Sequence, residues 1–260
     1  MENNTVKAKK HLGQHFLKDP QVARRITEAL DTQRWRHVIE VGPGMGVLTQ
    51  GLLELPGIAL RAVEIDGASV EYLEKRFAGK DLFIIRGDFL RMDLKELFRE
   101  PMAIIGNFPY NISSQIFFKV LDNRDLVQEV VGMVQKEVAE RICHGPGSKT
   151  YGILSVLLQA FYRLEYLFTV GEHLFLPPPK VKSAVIRMTR NERQALDCDE
   201  QLFFRVVKAA FNQRRKMLSN ALKPYGWQVP EEFAMQRAEQ LTVEDFIQLT
   251  KALEKEQEIC

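Results

Sequence analysis

The sequence predicts an α/β protein with a doubly wound, mostly parallel sheet, followed by a small all-helical domain. Three observations predict this architecture. Short runs rich in valine and isoleucine alternate with longer amphipathic segments between residues 38 and 188. Several of these runs end in glycine, asparagine or acidic residues, as strands do where a sheet edge carries a ligand site. After Asn191 the sequence carries no further strand pattern.

Length and composition fit one large domain plus one small one. The chain has 260 residues, 45% of them hydrophobic, and a formal net charge of +2. So small a charge does not by itself indicate a polyanionic partner. No apolar run reaches the length of a membrane span, and Met1–Asn4 lack the apolar core of a signal peptide. We therefore expect a cytoplasmic protein, and a monomer.

The cysteines indicate no metal centre. Cys143, Cys198 and Cys260 are far apart and odd in number, and they form no C-x-x-C pair. The sequence therefore predicts neither a zinc site nor a disulfide framework.

The N-terminal stretch is basic. Lys7, Lys9, Lys10 and His11 precede the segment Leu12–Leu17. A charged tail of this kind is typical of a solvated surface. Asp19 followed by Pro20 then predicts the start of a helix, because aspartate caps a helix and proline fits its first turn.

A glycine-rich turn follows the first strand. Val38–Val41 predicts that strand, Gly42–Gly46 the turn, and Val47–Leu53 a helix. Valine at position 47 breaks the G-x-G-x-x-G spacing of dinucleotide sites. Glu40 places a carboxylate at the mouth of the turn, where it would repel a pyrophosphate and attract an ammonium and a sulfonium. The pattern E-x-G-x-G-x-G therefore favours S-adenosylmethionine over NAD, with Gly42 and Gly44 as contacts; a tight turn for helix packing is the alternative.

Acidic residues follow the next two strands. Leu60–Ile65 predicts a strand whose Glu64 suits a ribose diol. Asp66 is predicted to cap the helix that runs through Phe77. Leu82–Ile85 predicts the third strand, and Asp88 after it either accepts from the adenine amine of a cofactor or caps a turn.

The fourth strand, Ala103–Ile105, ends before Gly106-Asn107-Phe108-Pro109-Tyr110. The Asn107 side chain and the Pro109 carbonyl can each accept a hydrogen bond, and Tyr110 offers a flat face. Together they suit a planar nucleobase that carries an amine. A turn with a local asparagine bond explains the same residues.

The remaining strands close the sheet. Val130–Val134 predicts a fifth strand, Tyr151–Phe161 a packed helix, and Phe168–Val170 with Ser183–Met188 a final pair. Three prolines follow Phe175 almost directly and would hold its ring in place. Such a ring is either a stacking partner for a base or a hydrophobic plug.

The composition becomes helical after residue 190. We therefore predict two domains, 1–190 and 191–260. A helix is expected over Leu202–Leu222, and its flank carries Arg205, Lys208, Arg215, Lys216 and Lys223. By itself this basic flank is typical of a solvated helix face. Arg214 falls in the apolar stripe and is predicted to form an ion pair.

Taken in order, these motifs resemble one family, the ribosomal RNA adenine dimethyltransferases, and most closely its bacterial members that act on small-subunit (16S) RNA. The resemblance runs from about Lys10 to the C-terminus. It rests on Gly13–Leu17, Glu40–Gly46, Glu64–Asp66, Gly87–Asp88, Asn107–Tyr110 with Asn111–Ser113, Gln135–Val138, Phe175–Val181 and Phe211–Lys216. Each motif alone is weak, whereas the ordered set is specific.

The resemblance implies a Rossmann-like methyltransferase sheet and an enzyme that transfers methyl groups from S-adenosylmethionine to N6 of two adjacent adenosines in a 16S RNA hairpin, without a metal. The positions that match the family's cofactor contacts are His15, Leu17, Gly42, Glu64, Asp88 and Asn107. The family commonly has asparagine at the position of His15. The resemblance also implies that Asn107, Pro109 and Tyr110 are catalytic, that Tyr110 and Phe175 stack on the base, and that Lys9, Lys10, Arg215 and Lys216 contact RNA phosphates.

Two other classes of function are compatible with the fold. One is an NAD-dependent oxidoreductase, against which Glu40 and Val47 argue. The other is a non-catalytic RNA-binding or ribosome-assembly factor, which would bind RNA without transferring methyl groups.

Overall fold

A computed structural model describes residues 6–259, with side chains as far as residue 255. The expectations for Met1–Asn4 and for Cys260 lie outside the described residues. No helix within the described range combines the length and the apolar character that a membrane crossing requires.

The chain packs as two compact units. One comprises the residues up to Ala139 together with Glu165–Arg190, and the other comprises Glu140–Leu164 and the residues from Asn191 onward. The segment Glu140–Leu164 therefore packs with the C-terminal residues. The division into domains 1–190 and 191–260 stays a prediction.

Nine strands are found among the described residues. They are β1 (Phe16–Leu17), β2 (His37–Val41), β3 (Ala59–Glu64), β4 (Phe83–Arg86), β5 (Met102–Asn107), β6 (Val127–Gln135), β7 (Tyr162–Val170), β8 (Phe175–Leu176) and β9 (Ser183–Arg190). Seven of them form one sheet in the order β4-β3-β2-β5-β6-β9-β7, and β1 pairs with β8 separately. The pairs from β4 to β6 are parallel, and β9 is antiparallel to β6. The predicted doubly wound α/β sheet is confirmed.

The helices are α1 (Pro20–Glu28), α2 (Val47–Leu52), α3 (Gly67–Arg76), α4 (Leu94–Leu97), α5 (Ser113–Asp122), α6 (Lys136–Cys143), α7 (Ile153–Phe161), α8 (Glu200–Asn212), α9 (Leu218–Ala221), α10 (Glu231–Ala234) and α11 (Val243–Ile259). Two predicted caps are confirmed. The Asp19 carboxylate accepts the N–H groups of Gln21 and Val22 at the start of α1, and Asp66 accepts that of Ala68 at the start of α3. Each satisfies backbone donors that have no partner inside the helix.

The predicted helix over Leu202–Leu222 is wrong. The structure ends α8 at Asn212, and a turn closed by the Lys216 N–H on the Gln213 carbonyl precedes α9. Arg214 lies in this turn and pairs with Glu239 at 2.6 Å, which confirms the predicted ion pair. Arg215 and Lys216 consequently lie in an exposed turn and not on a helix flank.

Close packing fixes the path of β5. A Cβ atom added at Gly106 would lie 2.5 Å from the Val41 carbonyl oxygen, and one at Gly132 would lie 2.5 Å from the ring of Phe108. Phe108 is fully buried. The Phe108 ring therefore packs directly against the backbone of Gly106 and Gly132. This packing, the Phe108 wedge, holds Asn107 and Pro109 at the edge of the sheet.

We expect Gly132→Ala to destabilise the protein by about 1–3 kcal/mol, because the added methyl group overpacks the site. Denaturant unfolding measures the change, and a second substitution, Phe108→Leu, should restore part of the loss. Gly145→Ala is the control, since nothing lies within 4 Å of a Cβ there. Equal stability of the Gly132 and Gly145 variants would contradict the wedge.

Candidate active site

A cleft opens where the parallel strands end. Its wall includes the ends of β2 and β3, the residues after β4, and the end of β5. The space in and before the cleft, open solvent included, is about 670 Å³. The residues that line the cleft include Leu12–Phe16, Gly42, Gly44, Glu64, Ile65, Asp88, Asn107, Pro109 and Tyr110.

The glycine turn after β2 shapes one side of the cleft. Gly42 and Gly44 have φ values of 68° and 57°, in the left-handed region that favours glycine. A Cβ atom at Gly44 would lie 2.8 Å from the ring of Phe16. The turn therefore needs glycine both for its backbone angles and for the approach of the N-terminal segment.

Glu64 is a buried carboxyl group at the base of the cleft. It accepts the Gly44 N–H at 3.0 Å and the Asp66 N–H at 2.8 Å. Burial raises the pKa of Glu64, and these backbone hydrogen bonds oppose the rise. Because each carboxylate oxygen accepts more than one hydrogen bond, Glu64 keeps capacity for a hydroxyl ligand.

Glu40 does not line the cleft. Successive side chains of a strand point to opposite faces, and the buried Glu40 carboxyl accepts a hydrogen bond from the Thr49 hydroxyl of α2 at 2.7 Å. Burial raises the pKa of Glu40 to about 8, the Thr49 hydrogen bond lowers it, and the charge of Glu64 adds to the rise. The contact of Glu40 with a cofactor stays a prediction.

The Asn107 amide is held in one orientation. Its Nδ2 donates to the backbone carbonyl of His15 at 2.8 Å. This bond occupies the donor side and leaves the Oδ1 acceptor for the cleft. The Pro109 carbonyl accepts the Ile112 N–H at 3.1 Å and retains a second lone pair. Two acceptors for an amine therefore lie on neighbouring residues of one loop.

Tyr110 presents an anchored ring. Its hydroxyl lies 2.5 Å from Ser183 Oγ, and its ring stacks on the imidazole of His15 with centroids 5.4 Å apart. The His15 Nδ1–H donates in turn to the Pro177 carbonyl at 2.8 Å. Burial raises the pKa of the Tyr110 phenol, against the effect of the Ser183 hydrogen bond. The ring is thus fixed in position and stays uncharged near neutral pH.

Asp88 caps a turn, as one of its two predicted roles required, and its contact with a cofactor's adenine amine stays a prediction. It lines the cleft, and its Oδ1 caps the turn after β4 by accepting the Leu90 N–H at 3.0 Å.

Besides Glu40, two further predicted site residues lie outside the cleft. Leu17 and Phe175 pair across β1 and β8 and pack into the apolar core of their unit. Phe175 is 1% exposed, so in this structure it is a hydrophobic plug. A stacking role would require its ring to leave this packing, and that role stays a prediction.

The four predicted phosphate contacts differ in their surroundings. Lys10, Arg215 and Lys216 are exposed. Lys9 instead forms an ion pair with Asp66 at 2.5 Å.

The sequence did not predict all of the cleft. Phe16 reaches it through the long-range pairing of β1 with β8, and Gln14 lies beside it with its side chain on Asp66; no local pattern indicates either contact. Ile65 lines it too and is 50% exposed. A large apolar residue directly after the strand-ending Glu64 is a signal that could have identified Ile65.

Comparisons with known proteins agree over nearly the whole chain. Residues 5–255 match the family model described as ribosomal RNA adenine dimethylase. A protein of Parabacteroides distasonis named ribosomal RNA small subunit methyltransferase A is 58% identical, covering 96% of this chain and 97% of its own length. A protein of the same name from Porphyromonas gingivalis is 52% identical, covering 96% and 99%.

Two solved structures are similar to the chain. A dimethyladenosine transferase from Plasmodium falciparum has a TM-score of 0.79 at 25% identity, covering 94% of this chain and 98% of its own. The 23S rRNA methyltransferase ErmE has a TM-score of 0.73 at 24% identity, covering 92% and 99%, and this likeness concerns the fold alone.

Glu40 should make stability depend on pH. Its pKa rises from an ordinary 4.5 to about 8, so the folded chain holds a proton that the unfolded chain releases between these values. Stability therefore falls as pH rises through this window, by at most about 1.4 kcal/mol per pH unit. Glu40→Gln, which cannot release a proton, should gain melting temperature relative to the wild type between pH 5 and pH 8.

Thermal unfolding without ligand measures this gap. Glu71→Gln, a change at an exposed position of α3, serves as the control. A gap that stays constant with pH would show that Glu40 ionises normally in the folded protein.

Proposed function

The chain belongs to the ribosomal RNA adenine dimethylase family, and we propose that its cleft dimethylates adenosines of ribosomal RNA. The targets in this proposal are the N6 atoms of two adjacent adenosines in a 16S ribosomal RNA hairpin, and S-adenosylmethionine is the methyl donor. The single observation that carries the proposal is the pair of acceptors at the end of β5. Asn107 and Pro109 line the same cleft as the glycine turn and Glu64.

The residues present fit the methyl donor. The turn at Gly42 and Gly44 presents backbone without side chains, Glu64 can accept from ribose hydroxyls, and Asp88 can accept from an adenine amine. Ile65 adds an exposed apolar surface beside them. When bound, S-adenosylmethionine supplies an electrophilic methyl group on a sulfonium.

The protein's part in the reaction is positioning. The N6 lone pair of adenine is delocalised into the ring and is a weak nucleophile. When Asn107 Oδ1 and the Pro109 carbonyl accept its two N–H bonds, they favour a pyramidal nitrogen whose lone pair points at the methyl group. The new N–C bond forms as the S–C bond breaks, and the nitrogen then loses a proton to water. No strong base is needed before attack.

Tyr110 offsets the cost of exposing the base. Taking an adenine out of its stack costs a few kcal/mol. Stacking on an aromatic ring returns about 1–3 kcal/mol per base. The Tyr110 ring is already immobilised by Ser183 and His15, so little further ordering is needed.

The partner in this proposal is ribosomal RNA or the immature small subunit, met by a monomer in the cytoplasm. Exposed Lys10, Arg215 and Lys216 are the candidates for phosphate contacts.

Transfer of labelled methyl groups tests the proposal. Small-subunit RNA, naked and as an assembled particle, is incubated with the protein and labelled S-adenosylmethionine, and the modified base is mapped. We expect N6,N6-dimethyladenosine at two adjacent positions. RNA binding without label transfer would instead favour the assembly-factor alternative, and binding of NAD but not of S-adenosylmethionine would favour an oxidoreductase.

Asn107→Ala should lower kcat about 10²–10³-fold, because one of the two acceptors for the amine is lost. Affinity for the cofactor should change little, since the other cleft contacts remain. Single-turnover assays and calorimetric titration measure the two quantities. Asn220→Ala is the matched control, at an exposed asparagine of α9 outside the lining of the cleft. Near-wild-type turnover of the Asn107 variant would remove Asn107 from the mechanism.

Tyr110→Ala should raise the KM for RNA about tenfold, as the loss of one base-stacking contact implies. Tyr110→Phe keeps the ring and gives up only the hydroxyl contact with Ser183, so its KM should stay close to that of the wild type. Steady-state kinetics with RNA as the varied substrate measures both. If Tyr110→Ala lost cofactor binding, its ring would be a structural part of the cleft and not a platform for the base.

A further inference from the structure

One wall of the cleft comes from the N-terminal strap, which we define as Lys9–Leu17. Leu12–Phe16 line the cleft directly. The strap begins with a 3₁₀ turn over Lys10–Leu12, which ends at Gly13 with φ 65°. Its last two residues form β1, which pairs with β8.

The first half of the strap is attached through a single carboxylate. Lys9 Nζ lies 2.5 Å from Asp66 Oδ1, and Gln14 Nε2 lies 3.4 Å from Asp66 Oδ2. Gln14 Oε1 also accepts the Lys9 N–H at 2.8 Å, which closes the turn. Among the described residues, these two contacts with Asp66 are the hydrogen bonds that tie Lys9–Gln14 to the rest of the unit. The other hydrogen bonds between the strap and the rest of the unit begin at His15.

Asp66 is built to receive the Lys9 cation. Its side chain is fully buried, whereas that of Lys9 is 43% exposed. Burial alone would raise the pKa of Asp66, but the hydrogen bonds from Lys9, Gln14 and the Ala68 N–H, together with the charge of Lys9, hold the pKa below its ordinary value. Its carboxylate also receives Ala68 N–H and Ser69 Oγ–H at the start of α3. Loss of the Lys9 cation would leave this buried carboxylate without a charged partner, which costs free energy.

The backbone of Asp66 also contacts Glu64, the carboxyl group proposed to bind the cofactor ribose. The Asp66 backbone N–H donates to Glu64 Oε1 at 2.8 Å. The attachment point of the strap and the candidate cofactor carboxylate are thus joined by one hydrogen bond.

We propose that Lys9 is a positioning residue of the cofactor site. Its ion pair with Asp66, which we call the latch, holds the N-terminal strap in place, so that the strap stays in contact with bound S-adenosylmethionine. This inference rests on the proposed function. It differs from the role implied by the sequence, in which Lys9 and Lys10 alike contact RNA phosphates.

Lys9 and Lys10 form a natural matched pair. They are adjacent and carry the same charge, but Lys10 is exposed and Lys9 is paired. Because S-adenosylmethionine carries a net positive charge, removal of either lysine would strengthen its binding if only the long-range field mattered. A loss of affinity specific to Lys9 therefore has the opposite sign to the simple electrostatic effect.

The test is calorimetric titration of S-adenosylmethionine in the absence of RNA, with wild type, Lys9→Met, Lys9→Arg and Lys10→Met. We expect Lys9→Met to raise the Kd roughly three- to tenfold, a partly exposed charge-assisted hydrogen bond being lost. Lys9→Arg should restore affinity close to that of the wild type, and Lys10→Met should not raise the Kd. Melting temperatures recorded without ligand confirm that each variant is folded.

Unchanged affinity in Lys9→Met, or equal losses in Lys9→Met and Lys10→Met, would overturn the latch. Failure of the wild type itself to bind S-adenosylmethionine would instead overturn the proposed function, so the two failures are distinguishable.

Discussion

The parallel pairing of β2 with β5 is the interaction on which the candidate site depends. It sets Glu40 opposite Ile105, so the glycine turn after one strand and the Asn107 loop after the other emerge side by side. Gly106 keeps the two strands close, because any side chain there would collide with the Val41 carbonyl. The proposed sites of the methyl donor, on the turn, and of the acceptor amine, on the loop, are thereby brought to one edge. Methyl transfer to an amine then requires few further groups, because it depends mainly on the distance and orientation between the nitrogen and the methyl group.

The site is assembled from distant parts of the chain, and hydrogen bonds between them set its polarity. Asn107 could present either its oxygen or its nitrogen to a ligand. The His15 carbonyl decides the matter by accepting from the amide nitrogen. His15 also supports the Tyr110 ring and binds Pro177. One residue of the N-terminal strap thus connects the Asn107–Tyr110 segment with the proline-rich loop, and the same strap lines the cleft that is proposed to hold the cofactor.

Local patterns in the sequence predicted what local physics determines. The caps Asp19 and Asp66 and the glycine turn follow from side-chain chemistry within a few residues. Features set by long-range packing could not be predicted in this way. The β1–β8 pairing buries Phe175, the Gln236 carbonyl accepts the Leu218 N–H at the start of α9, and the Thr49 hydroxyl on α2 donates to the Glu40 carboxyl. In each case the deciding partner lies outside the segment that was interpreted.

In the proposed mechanism an adenine amine is held by two oxygens at the end of β5, in the cleft that also binds the methyl donor. A crystal structure of the protein with S-adenosylhomocysteine and adenosine would show both ligands in place. We expect the adenine N6 within hydrogen-bond distance of Asn107 Oδ1 and the Pro109 carbonyl, with the cofactor ribose on Glu64. Adenosine bound away from β5, or a cofactor outside the Gly42–Gly46 turn, would contradict this mechanism.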